Sequence, residues 1–94
     1  MKYTLDDIKQ MLRDSQSQEV IGAVNDMVSS ETDSNVLAMA YYLRGNAYRQ
    51  QGNVRTALNS FLEAMALDPT GPAAHAYRTM QEILGFYDHD LYNP

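Results

Sequence analysis

The chain has 94 residues and no cysteine, and its 12 acidic against 7 basic residues give a formal charge of −5. That length holds one small domain with a modest core, missing thiols exclude disulfides and thiolate metal sites, and the acidic balance repels the phosphates a nucleic-acid binder must attract. No apolar run reaches bilayer-spanning length, and the opening MKYTLDDIKQML is acidic where a secretion signal needs an apolar core, so no membrane association and a cytoplasmic setting are expected.

Periodicity predicts five helices separated by short polar joints. The first covers about residues 5–13, with Leu5, Ile8 and Leu12 on one face and Thr4 and Asp7 spaced for a capping box. SQSQ at residues 15–18 breaks the chain; Ser15 and Gln18 are available to cap a second helix over about residues 18–29, which buries Val20, Ala23, Val24 and Met27. The polar stretch 30–35 leads into a third helix over about residues 36–51. Gly52 suits the left-handed conformation that ends a helix, and Asn53 is placed to cap the fourth. That helix runs to about Leu67 and stops at Asp68-Pro69. Pro72 then opens the fifth, at a first helical position where its missing N–H costs nothing. Gly85 is expected to end it, leaving FYDHDLYNP, residues 86–94, as a tail. Phe86, Tyr87, Leu91 and Tyr92 make that tail unusually apolar, since free tails are mostly polar. Packing back onto the domain is expected, with a docking motif for a partner as the competing reading.

The most specific signal lies in residues 38–71, AMAYYLRGNAYRQQGNVRTALNSFLEAMALDPTG. Tyr41, Gly45 and Tyr48 make one helical stripe; Ala57, Phe61 and Ala64 make the facing one, and Ala57 is expected to meet the third helix near Gly45. The order W-x2-L-G-x2-Y, A-x3-F and P is met with two departures, Tyr41 for the Trp and Arg44 for the Leu. The stretch resembles a tetratricopeptide repeat. A shift by the 34-residue period also superposes Val20 on Val54, Ala23 on Ala57, Asn25 on Asn59 and Met27 on Phe61. Residues 1–33 therefore read as a divergent first repeat. The forward shift places His75, Arg78, Thr79 and Glu82 where Tyr41, Arg44, Gly45 and Tyr48 stand, so residues 72–85 read as a polar-faced capping helix. The resulting expectation is an all-α fold of two helix pairs and a cap.

The resemblance implies a peptide groove lined by the first helix of each pair. On the third helix the stripe beside the packing face is Met39, Tyr42, Asn46 and Arg49, and its counterparts on the fifth are Ala73, Ala76, Met80 and Ile83. Met39, Tyr42, Asn46, Arg49, Ala73, Ala76 and Met80 are thus the candidate partner-binding residues, for a protein or peptide. The alternative is a structural homo-oligomer whose groove is covered by its own tail or a second copy. A chaperone-tail carboxylate clamp is rejected, because Asn46 alone has the right type at a groove position and the cations are missing. Asp88-His89-Asp90 lacks the distant partner that closes a metal shell, and no serine has a base near it in sequence. No catalytic residue, metal or cofactor is expected.

Overall fold

The computed structural model describes the backbone of residues 3–92 and the side chains of residues 3–85. Within them the chain folds as α1 (Leu5–Arg13), α2 (Ser17–Val28), α3 (Ser34–Gln50), α4 (Val54–Leu67) and α5 (Pro72–Tyr92), with no strand. The chain is all-α, as its periodicity requires.

Local chemistry sets most helix ends. The Thr4 hydroxyl accepts from the Asp7 N–H at 3.1 Å while the Thr4 N–H donates to the Asp7 carboxylate at 3.0 Å, so the capping box at α1 is complete. Ser15 adopts a positive φ of 60° between α1 and α2, and the N-cap of α2 is Gln16, with no side-chain capping bond. Neither Ser15 nor Gln18 supplies the expected cap. α3 starts earlier than its apolar pattern suggests, because the Asp33 carboxylate accepts from the N–H groups of Asn35 and Val36 at 2.8 and 3.3 Å. Gly52 has a φ of 79° at the end of α3, and Asn53 accepts from the Thr56 N–H at 3.4 Å to begin α4.

α5 departs from expectation. It passes through Gly85 without a turn and continues to Tyr92. A glycine inside a helix costs only about 1 kcal/mol relative to alanine, and no proline follows closely enough to enforce a stop. The expected fold-back of Phe86, Tyr87, Leu91 and Tyr92 concerns side chains outside the described residues.

Two apolar clusters form the interior. Ile8 of α1, Val20, Ile21, Ala23, Val24 and Met27 of α2, and Ala40, Leu43 and Ala47 of α3 make the first. Ala57, Phe61 and Ala64 of α4 with Ala73, Ala76 and Met80 of α5 make the second. Tyr42 and Tyr48 of α3 are partly buried against both, which joins the two into one core. Polar bonds lock the α1–α2 turn to the end of α3: Gln50 donates to the Leu12 carbonyl at 3.1 Å and accepts from the Ser17 hydroxyl at 2.7 Å. The same carbonyl also accepts from the Ser15 N–H at 3.0 Å, so the Gln50 amide adds a second bond at the end of α1.

Candidate interaction surface

α3 is the helix from which any surface here must be built, because it packs on α1, α2 and α4. Its tightest approach is to α4. A Cβ added at Gly45 would lie 2.4 Å from Cε1 and 2.6 Å from Cδ1 of Phe61, so the ring occupies the space a side chain would need. Phe61 is fully buried and its ring centroid stands 6.0 Å from that of Tyr42. The small-residue reading of Gly45 is right, but the group that fills the gap is Phe61. Ala57, expected there, is fully buried in the same cluster.

The candidate stripe divides along its length. Ala73, Ala76 and Met80 are largely buried against α4, and of the three only Met80 reaches the edge of a sizeable cleft. Of the stripe expected on α5, only Ile83 is exposed, and the cause is visible one period earlier. Met39 and Tyr42, their counterparts on α3, are themselves partly buried against the cluster of the preceding helix pair. At both periods this face looks back toward the preceding pair, where alanine permits close approach.

What remains accessible sits at the Arg49 end. Around Met39, Tyr42 and Ala73 the free space is only about 30 Å³, hemmed in by Ala64, Gly71 and Pro72. That volume suits a single water molecule. A cleft of about 370 Å³ opens at the other end between Arg49, Val54, Met80, Ile83 and Leu84. A second, of about 480 Å³, lies on the other flank of Leu84, lined by Val54, Arg55, Leu58, Gln81 and Gly85. Asn46 is half-buried and lines neither. The rims are cationic: residues 34–62 contain no Asp or Glu but hold Arg44, Arg49 and Arg55. Of these, only Arg44 is ion-paired among the described residues.

Comparison with known families now bears on this geometry. Residues 38–70 match the family model described as tetratricopeptide repeat. Over those residues the chain is similar to one tetratricopeptide repeat. No curated protein and no solved structure matches it at a significant level. Within the repeat, the two departures from the family pattern turn out to be partners. The Arg44 guanidinium lies 4.8 Å from the centre of the Tyr41 ring, a cation–π contact. Its Nε donates to the buried Ser60 hydroxyl at 3.1 Å, one terminal nitrogen donates to Asn25 of α2 at 2.9 Å, and the other bonds the Glu63 carboxylate. An apolar position of the repeat has thus become a polar clamp linking α2, α3 and α4.

Sequence reasoning noted Arg44 only as a departure. The signal it left unused was the joint change at Tyr41 and Arg44, three residues apart and therefore neighbours on a helix. No group of three or more metal-ligating side chains occurs among the described residues, and no described helix is long and apolar enough to cross a membrane. Asp88, His89 and Asp90 lie outside the residues whose side chains are described.

Proposed function

We propose that the chain is a non-catalytic, cytoplasmic interaction module that holds a peptide or protein partner at the Arg49 end of the surface shared by α3 and α5. The observation that carries this reading is the cleft of about 370 Å³, walled by Val54, Met80, Ile83 and Leu84 and rimmed by Arg49. Its size falls in the range of ligand-binding clefts, roughly 300–1,000 Å³. Apolar walls beside one guanidinium suit an apolar side chain next to a carboxylate, because the walls reward burial while Arg49 supplies a charge-assisted bond. The tetratricopeptide repeat supports protein binding in general. Arg49 makes no side-chain hydrogen bond among the described residues, which leaves it for a partner, whereas Asn46 lines neither cleft and Met39 and Tyr42 border only the small space at the far end.

A displayed peptide library selected on the intact chain, followed by calorimetry, tests the reading. Selected sequences should pair an apolar residue with an acidic one. Arg49→Ala combined with Ile83→Ala should weaken binding at least about tenfold, the equivalent of ~1.4 kcal/mol. Both side chains are exposed, so the fold survives the change. Unchanged affinity in that variant refutes the site.

A further inference from the structure

The Arg44 clamp is half repeated one period later. Asn25, Tyr41 and Arg44 fall on Asn59, His75 and Arg78, and Gly45, where α3 comes closest to α4, falls on Thr79. His75, Arg78, Thr79 and Glu82 form one stripe along α5, spaced i, i+3, i+4 and i+7. Asn59, His75, Arg78 and Glu82 are exposed, and Thr79 is half-buried. The chain does not turn back to cover this stripe. α3 ends at Gln50 and α4 begins at Val54, whereas α5 runs as one helix through the matching positions 84 and 88 to Tyr92. From Glu82 to Tyr92 is about 15 Å of helix, and Asn93 with Pro94 spans at most about 7 Å. At the other terminus Met1 and Lys2 precede α1, which packs on α2 and α3.

What satisfies Arg44 shows what Arg78 lacks. α4 brings Arg44 a hydroxyl and, three residues on, a carboxylate, those of Ser60 and Glu63. α5 carries the same order, Thr79 and then Glu82, on the stripe that holds Arg78. Among the described residues Arg78 and Glu82 have no ion pair and no side-chain hydrogen bond. One α5 laid antiparallel on another therefore offers each Arg78 what α4 offers Arg44. We propose that two copies of the chain pair symmetrically through α5, Arg78 of each donating to Thr79 and Glu82 of the other. Because residue 78 then meets residues 79–82, the two-fold axis passes beside Thr79. Thr79 has the smallest side chain of the stripe, so the helices can close up where they cross. Symmetry makes the contact self-complementary. A single exposed ion pair is worth little, but here two guanidinium groups, two carboxylates and two hydroxyls meet in one network. The stripe shares no residue with the Arg49 cleft, so the pairing is independent of peptide binding there.

Sedimentation equilibrium of the full chain over a dilution series tests the pairing. The wild-type chain should approach twice 10.6 kDa at high concentration. Arg78→Glu and Glu82→Arg should each remain at 10.6 kDa, since either change sets like charges opposite one another twice. Their equimolar mixture should recover the doubled mass, because both contacts then join opposite charges. The chain has no cysteine, so Thr79→Cys should give a disulfide-linked dimer under mild oxidation, a readout that stands even where a charge variant fails to fold. A wild-type chain at 10.6 kDa throughout, single charge variants that keep the doubled mass, or a mixture that does not recover it overturns the dimer. Absence of the cross-link overturns the axis at Thr79. Arg49→Ala, which removes the proposed peptide contact, should leave the doubled mass unchanged, so loss of peptide binding and loss of the dimer are read separately.

Discussion

Replacing Gly45 with alanine isolates the contact on which the repeat closes. Two effects oppose each other. In a helix interior alanine is better than glycine by about 0.5–1 kcal/mol. Against this, the new Cβ would stand 2.4 and 2.6 Å from two Phe61 ring carbons, where carbons rest at about 3.5–4.0 Å. The ring must withdraw by roughly 1 Å, and a fully buried ring has no free space to withdraw into, so overpacking of about 1–3 kcal/mol is expected. Gly22 is the internal control: it also lies inside a helix, α2, but a Cβ there meets nothing within 4 Å. Gly22→Ala should therefore raise stability and Gly45→Ala lower it relative to that control by about 1–3 kcal/mol. For a domain of this size each kcal/mol moves the midpoint by about 4–8 °C, well within reach of thermal melts followed by circular dichroism. Adding Phe61→Leu to Gly45→Ala should recover part of the loss in a double-mutant cycle. Equal melting temperatures for the two alanine variants would refute the Gly45–Phe61 packing.

Phe61→Ala should cost about 3–5 kcal/mol in denaturant titrations, since the ring is fully buried and no neighbour can fill the void. Arg44→Ala should cost about 1.5–3 kcal/mol by leaving the buried Ser60 hydroxyl without its donor, and Arg44→Lys should rescue little because an ammonium cannot serve three acceptors in a fork. Glu63→Ala should cost under about 1 kcal/mol, because that carboxylate is 48 % exposed and screened by solvent. Asp33→Ala, read in the same melts, should cost about 0.5–2 kcal/mol through loss of the cap on α3.

Helix positions were legible wherever one residue type has one local solution. Thr4 with Asp7, Gly52 with Asn53, and Pro72 each fixed a boundary that tertiary packing had no reason to move. Gly85 misled because glycine permits a stop without imposing one, and only a proline close behind would have forced it. The candidate surface was legible in part. Arg49, Ala73, Ala76 and Met80 were all assigned to a groove by period alone, and of these only Arg49 is exposed. Period gives the face of a helix but not which neighbour covers it, and α4 covers this one. Ile83 was legible as the residue one period after Arg49, whereas Arg55 and Leu84 complete the clefts without any pattern of their own, since their relevance comes from where α4 begins relative to α5. Arg44 was hidden for another reason: its acceptors Asn25, Ser60 and Glu63 lie on two other helices, and no local spacing connects them.

The Arg44 clamp also limits how far residues 38–70 can be treated as a portable cassette. Tandem helical repeats are commonly shuffled and lengthened because each unit answers only to its neighbours through generic apolar contacts. Here the unit reaches outside itself: one of its guanidinium nitrogens depends on Asn25, in the helix before it. Grafted behind a foreign helix pair, the segment would bring a half-buried cation seeking an acceptor that the new host has no reason to provide, and burying such a group unpaired is costly. An array built by duplicating this unit would meet the same requirement at every junction. The α4 that precedes each copy would then have to present its own Asn59, the residue one period after Asn25, in the place of that acceptor.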